Sequence, residues 1–195
     1  MGRPRQFDPD KALDAVLCVF WRKGYEGASY ADLTEAAGVE RPALYAAFGN
    51  KEAMFRKALA RYYERFMAHL PQTLALPTAR EVAREWLAQT VALNTRFDDQ
   101  RGCLFLNGAL AGSDDAEPVR QLLVEVRAQG EERLRSRFQQ ARAEGDLPAG
   151  ADPAVLAAWL MATAHGIAVQ AKAGFSAQKL QAVADQALSG WPVGN

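Results

Sequence analysis

Apolar residues recur along this chain every three or four positions, which is the period of an amphipathic α-helix. The first such stretch covers residues 9–24. Asp8 precedes it as an N-cap, Pro9 stands in the first turn and Gly24 follows the last periodic residue. The pattern therefore predicts a first helix with clear start and stop signals.

The same period continues to the end of the chain, and no segment alternates as a β-strand does. Residues 71–77, between two prolines, are predicted to be a connection. Eight further helices are predicted near residues 29–37, 41–47, 50–70, 78–93, 103–110, from 119 onward, 152–172 and 176–188. The fold class is thus all-α with about nine helices. We expect two domains, residues 1–52 and residues 53–195.

Composition narrows the class of protein. The 195 residues include 23 Lys and Arg and 23 Asp and Glu, so zero net charge argues against coating nucleic acid by bulk electrostatics. We find no apolar run near the ~20 residues of a membrane span and no signal peptide, and we expect a cytoplasmic protein that contacts no membrane. Cys18 and Cys103 suit neither a disulfide scaffold nor a metal site, so no cofactor is predicted.

Two short helices joined by a glycine-containing turn have the geometry of a helix-turn-helix, whose second helix enters the major groove. Here residues 31–37, 38–40 and 41–47 fit that description. Leu44 and Phe48 are predicted to pack inward. Four residues of the second helix are predicted to face outward: Arg41, Ala43, Tyr45 and Ala46. Pro42 is predicted to stand in its first turn, where the missing N–H costs nothing.

The residues around this motif resemble the signature of the TetR/AcrR family of transcription regulators. No single fragment is specific, but their combined spacing is. The matching residues are 24–30 (GYEGASY), Leu33, 37–39 (AGV), Leu44, Tyr45, Phe48 and 50–52 (NKE).

The resemblance implies a DNA-binding role for particular residues. Base contacts are expected from Arg41, Pro42, Ala43 and Ala46. A bidentate contact from Arg41 to guanine would contribute ~1–3 kcal/mol of discrimination. Phosphate contacts are expected from Tyr45, Lys51, Ser29 and Tyr30.

Two departures from the family pattern reduce side-chain reach. Ala46 and Ala47 stand where the family often has an aromatic residue and a histidine, and Glu40 stands where it commonly has Ser or Thr. Arg3 and Arg5 could compensate by entering the minor groove, or they could be a solvated tail.

For the second domain, the resemblance implies a ligand cavity and a homodimer formed by the last two helices. Each cavity candidate could instead be an ordinary core residue. The cavity candidates are Trp86, Thr90, Cys103, Phe105, Asn107, Phe138, Met161 and His165. The interface candidates are Leu156, Trp159, Leu160, Ala162 and Ile167.

Cys103 has a chemical signal of its own. It follows Arg101 and opens a short helix, and both a cation and a helix N-terminus favour the thiolate. The run 101–104 (RGCL) also resembles a segment of TetR-family regulators that sense electrophiles. The alternative interpretation is a small buried apolar residue.

These features favour a regulator, most often a repressor in this family, that leaves double-stranded operator DNA when a small-molecule inducer binds. An enzyme is the first alternative, but His69 and His165 lack ligand spacing and no nucleophile or phosphate-binding motif occurs. A helical interaction module that lost DNA binding is the second, motivated by Glu40, Ala46 and Ala47.

Overall fold

A computed structural model of the chain describes residues 8–107 and 113–192, with the backbone alone at Asp115. Within these residues the chain forms ten α-helices and one 3-10 turn (Asp114–Ala116), and no strand. The all-α prediction is confirmed. The helices are α1 (Pro9–Gly27), α2 (Tyr30–Ala37), α3 (Arg41–Phe48), α4 (Lys51–Phe66), α5 (Leu70–Leu74), α6 (Ala79–Asn94), α7 (Leu104–Asn107), α8 (Glu117–Ala143), α9 (Pro153–Lys172) and α10 (Ala177–Ser189).

Helix starts follow the capping residues that the sequence provides. Asp8, the predicted cap of α1, and five equivalent side chains each accept a hydrogen bond from a backbone N–H of the first turn, which otherwise has no partner within the helix. These caps are Asp8, Ser29, Asn50, Thr78, Asp152 and Ser176.

Two predicted segments differ from the structure. Helix α4 ends at Phe66 rather than Leu70, and Leu70–Leu74 forms a separate short helix where a connection was predicted. Pro71 fits there because its missing N–H would be unpaired in a first turn anyway. Within the predicted helix 103–110, the structure describes a helix only at Leu104–Asn107, since residues 108–112 lie outside the described part.

Buried side chains form two clusters. One joins α1 to α4 and includes Phe20, Trp21 and Tyr62, together with Leu104 of α7 and Leu123 of α8. The other lies between α6, α8, α9 and α10. The first cluster therefore extends far beyond residue 52, and a domain boundary at 52/53 stays a prediction.

Helix α9 corrects one expectation about apolar runs. By length and composition alone, its 20 residues could cross a membrane. A core helix of a soluble protein passes the same test, and one side of α9 does pack against α6, α8 and α10. The expectation that no such run exists was wrong, because interspersed polar residues such as His165 hid the high mean hydropathy of this helix.

Candidate DNA-reading surface and ligand cavity

The start of α2 is fixed by a reciprocal capping box. The N–H of Asp32 donates to Oγ of Ser29 (3.1 Å), and the N–H of Ser29 donates to Asp32 Oδ2 (2.9 Å). The Ser29 hydroxyl also lies 2.8 Å from Oδ2, so both donors of Ser29 are already engaged. Lys23 Nζ donates to the other carboxylate oxygen at 2.6 Å. This cation, followed by the bonds from Ser29, lowers the pKa of Asp32.

Helix α3 turns its predicted outer face to solvent. Its two buried side chains are Leu44 and Phe48, which anchor it on the first core cluster. The four residues predicted to face outward are exposed, which confirms the predicted orientation and leaves their DNA contacts as predictions: Arg41, Ala43, Tyr45 and Ala46. Pro42 is exposed beside them, and its base contact also stays a prediction.

Two tyrosines and one arginine form a cluster on this face. The rings of Tyr30 and Tyr45 stack with centroids 5.5 Å apart, and their hydroxyl oxygens are 2.7 Å apart. The guanidinium carbon of Arg41 lies 4.1 Å from the Tyr30 ring centroid, within cation–π range. The hydrogen bond with Tyr30, and then Arg41, lowers the pKa of Tyr45, whereas burial raises the pKa of Tyr30.

Tyr30 also connects this cluster to α4. The N–H of Lys51 donates to the Tyr30 hydroxyl oxygen at 3.2 Å. That oxygen still carries its own proton, so Tyr30 can donate to Tyr45 and leave the Tyr45 proton for an outside acceptor. The sequence predicted Tyr30 as a direct DNA contact and missed this bridge, because the spacing of residues 30, 45 and 51 carries no signal of it. We call Tyr30, Arg41, Tyr45 and Lys51 the DNA-reading surface.

Lys51 is partly buried at the edge of this surface. Its Nζ lies 4.7 Å from the Tyr25 ring centroid and donates to the carbonyl oxygen of Glu26 at 3.4 Å. Burial lowers the pKa of Lys51. Arg3 and Arg5, the predicted minor-groove residues, lie outside the described residues.

A cavity of about 80 Å³ opens between residues 67–70, which join α4 to α5, and the helices α6, α7 and α9. Six of the eight residues predicted to line a ligand cavity surround it: Trp86, Thr90, Cys103, Phe105, Met161 and His165. Asn107 and Phe138 lie elsewhere. Phe138 packs in the core with its ring 5.3 Å from that of Trp191, and Asn107 Nδ2 donates to the carbonyl oxygen of Trp21 at 3.0 Å.

Cys103 lines this cavity in a different environment from the one predicted. The hydroxyl of Tyr62 points at its sulfur across 4.0 Å. Burial raises the pKa of the Cys103 thiol, although the backbone N–H groups of Phe105 and Leu106 and the charge of Arg127 act in the opposite direction. Arg101, the expected cation, instead donates to the carbonyl oxygen of Phe175 at 3.1 Å. Arg101 is thus close to Cys103 in the sequence but is not among the groups that act on its thiol.

The predicted interface residues on α9 are divided between two sides of the helix. Leu160 and Ile167 are 0% and 2% exposed, so they belong to the protomer's own core and not to its surface, which corrects the prediction. Leu156 and Trp159 are half-buried against that core, and Ala162 is exposed. Because α9 is apolar on all sides, its pattern could not tell the inner side from the outer. The exposed apolar stripe comprises Val155, Ala158, Ala162, Gly166 and Val169.

Residues 102–107, which we call the link segment, contact both the cavity and α1. Cys103 and Phe105 line the cavity. At the α1 side, Trp21 Nε1 donates to the carbonyl oxygen of Gly102 at 2.6 Å. The chain leaves helical geometry at Gly24 (φ 74°, ψ 178°), where a Cβ atom would lie 2.7 Å from the carbonyl oxygen of Asn107. A change in the cavity wall therefore has a short route to α1.

Comparison with known proteins identifies the class. Residues 12–58 match the family described as "Bacterial regulatory proteins, tetR family". Residues 75–187 match the family described as "Tetracyclin repressor-like, C-terminal domain". The chain belongs to the TetR family of DNA-binding transcription regulators.

Individual relatives agree with this family. The HTH-type transcriptional repressor ComR of Escherichia coli is 37% identical over 193 residues, covering 98% of this chain and 92% of ComR. A structure of a cysteine mutant of the TetR-family regulator CifR, complexed with 26-base-pair operator DNA, has a TM-score of 0.91 and 43% identity, covering 97% of this chain and all of that one. A TetR regulator from Rhodococcus has a TM-score of 0.64 at 38% identity, covering 93% and 98% of the two chains.

Proposed function

We propose that this protein is a cytoplasmic repressor that binds a palindromic operator as a homodimer and leaves it when a small molecule enters the cavity. The observation that carries the proposal is the DNA-reading surface, where Arg41 and Tyr45 are exposed together on the outer face of α3. The repressor activity of ComR and the operator complex of CifR support the same interpretation.

Each exposed group of this surface suits one part of DNA. Arg41 is long enough to reach the edge of a guanine, while Tyr45 and Lys51 suit phosphates. Pro42, Ala43 and Ala46 offer apolar contact to thymine methyl groups. The capping box engages both donors of Ser29, so we assign it the role of orienting α2. The terminal arm with Arg3 and Arg5 is assigned to the minor groove.

Dimerisation is proposed through the exposed apolar stripe of α9 and the neighbouring face of α10. Val155 and Val169 are 62% and 50% exposed, and Val183 of α10 is 48% exposed. Small residues between them allow two helices to approach closely. A twofold dimer would place its two α3 helices about one DNA turn apart, ~34–36 Å, which matches a palindromic site.

We assign the release of DNA to the link segment. A ligand that favours another position of Cys103 and Phe105 shifts the population toward a state in which α1 and the helix-turn-helix are misplaced. Trp21 and Asn107 transmit the shift because their hydrogen bonds join α1 to the two ends of the link segment, between which Cys103 and Phe105 line the cavity.

A thiol-reactive inducer is a second candidate, favoured by the position of Cys103 in the cavity wall. An electrophile in the cavity would meet the Cys103 sulfur. The raised pKa of this thiol lowers its thiolate fraction at neutral pH, so an inducer held beside it in the cavity would react faster than one that only collides with it.

Selection of bound sequences from random duplexes tests the DNA-binding proposal. Enrichment of one palindrome is expected, and failure to enrich any sequence would instead indicate a helical interaction module.

Substitution then tests the assigned surface. Arg41→Ala is expected to weaken operator binding about 5- to 100-fold, because a base contact contributes ~1–3 kcal/mol. Lys51→Ala is expected to weaken binding to all sequences and to reduce the salt dependence by about one counterion. Arg135→Ala is the matched control, since this exposed arginine pairs with Glu132 on α8. Unchanged affinity in both test variants, in titrations at fixed salt, would contradict the assignment.

A further inference from the structure

Asn94, the last residue of α6, has a buried side-chain oxygen that accepts no hydrogen bond among the described residues. It lines the cavity and is only 3% exposed. Its Nδ2 donates to the carbonyl oxygen of Thr90 at 2.7 Å, which fixes the amide orientation, because the opposite one would place two oxygens together. Among the described residues, no donor reaches its Oδ1. A buried acceptor without a partner is costly, so a ligand that supplies a donor there gains affinity.

The cavity wall is free of formal charge within the described part of the chain. No Asp, Glu, Lys or Arg side chain lines it. The nearest charged side chains lie behind the wall and have other hydrogen-bond partners: Glu85 accepts from Gln89 Nε2 at 2.7 Å, and Arg127, whose charge reaches Cys103 and His165, donates to the carbonyl oxygen of Phe105 at 3.0 Å. A carboxylate or ammonium group in the cavity would thus lose its hydration without gaining an ion pair.

Two histidines in the wall do not alter this neutrality. Burial lowers the pKa of both His69 and His165 below the usual value of 6.5, which leaves them uncharged at neutral pH. The rest of the lining is mainly apolar and aromatic, including Trp86, Phe105 and Met161. A volume of about 80 Å³ holds on the order of six water-sized groups.

We propose that the cavity takes a small uncharged molecule with an apolar body and one hydrogen-bond donor, such as a hydroxyl group, which donates to Oδ1 of Asn94. This inference rests on the proposed function and names the chemical class of its ligand. Asn94 selects for the donor, and the uncharged wall selects against anions and cations.

Matched probe compounds test the proposal by calorimetry on the full-length protein. Phenol and fluorobenzene have the same number of heavy atoms, but only phenol has a donor. The wild type is expected to bind phenol about tenfold more tightly than fluorobenzene, because the unpaired acceptor gains its partner. This preference is expected to disappear in Asn94→Leu and to persist in Leu122→Met, a control at a half-buried leucine of α8 outside the cavity. Benzoate and benzylammonium are expected to bind at least about tenfold more weakly than phenol.

The possible failures are distinguishable. An equal phenol preference in wild type and Asn94→Leu would overturn the role of Asn94 and leave the cavity as the ligand site. Should Asn94→Leu not fold, the comparison of the two compounds in the wild type decides alone. Binding of benzoate as tight as that of phenol would overturn the neutral class. If neither phenol nor fluorobenzene binds, or if Ala164→Trp leaves their binding unchanged, both the inference and the proposed cavity are wrong, whereas operator binding remains a separate result.

Discussion

The DNA-reading surface and the ligand cavity both combine aromatic rings with polar groups, but among the described residues only the surface carries charged side chains. At the surface, the cations of Arg41 and Lys51 lie over the rings of Tyr30 and Tyr25, where water still reaches them. In the cavity, Trp86 and Phe105 stand beside neutral polar groups, and no charged side chain lines the described wall. Depth explains the difference, because a cation on a ring is inexpensive at a surface and costly when buried. The first region therefore suits a polyanion and the second a neutral molecule.

In the proposed function the link segment couples the two regions, and the largest expected effect comes from disrupting its contact with α1. Gly24→Ala places a side chain at φ 74° and a Cβ atom 2.7 Å from the Asn107 carbonyl oxygen. We expect a loss of about 3 kcal/mol in the free energy of unfolding, from backbone strain together with this contact. Urea denaturation of the dimer measures it.

Gly145→Ala is the matched control for this prediction. Gly145 has φ 82°, but a Cβ atom there would meet nothing within 4 Å. We expect it to lose only about 1–2 kcal/mol from the backbone conformation. Equal losses in the two variants would mean that contact between α1 and the link segment adds nothing to the cost.

How far the sequence predicted these two regions depends on the range of the interactions. Caps such as Ser29 and Thr78 were predictable, because a cap bonds to an N–H two or three residues ahead. The outer face of α3 followed from helical periodicity. The bridge of Tyr30 to Lys51 spans 21 residues, and no local pattern encodes it.

The cavity was less predictable for a related reason. Periodicity places Trp86 and Thr90 on one side of α6, but it cannot show whether that side meets packed core or empty space. Phe138 and Leu160 illustrate the consequence, since both are core residues of the protomer. Whether Asn94 Oδ1 has a hydrogen-bond donor nearby depends on how the helices pack, and the sequence does not show this.

A second prediction concerns the Cys103 thiol, which could react with an electrophile in the cavity. Because burial raises the pKa of Cys103 above the usual value of 9.0, the thiol is protonated at neutral pH, and its small thiolate fraction grows steadily as the pH rises toward that pKa. Cys103→Ser is expected to keep operator affinity and to lose the release caused by N-ethylmaleimide. In the wild type this release is expected to become faster as the pH is raised from 7 to 9, in a time course of operator fluorescence anisotropy.

Cys18→Ser is the control, since Cys18 lies on α1 outside the cavity. A full response to N-ethylmaleimide in Cys103→Ser would show that this thiol is not the site of reaction. A rate independent of pH would contradict the raised pKa.

The smallest effect is expected from the exposed ion pair between Lys23 and Asp32, which stabilises the start of α2. Asp32 holds the start of α2 through Ser29 and pairs with Lys23. Its folded pKa lies below the usual value of 3.8, so the stability that it contributes is present above about pH 4 and is lost as the pH falls through the folded pKa. Asp32→Asn should therefore lower the Tm slightly at pH 7, and the difference from the wild type should narrow as the pH falls toward 3.

Asp152→Asn is the control, because an amide oxygen can still accept from the N–H of Ala154 at the start of α9. A Tm difference that stays constant from pH 7 to pH 3 would mean that the carboxylate charge at α2 does not contribute, and that Asp32 acts through its hydrogen bonds to Ser29 alone.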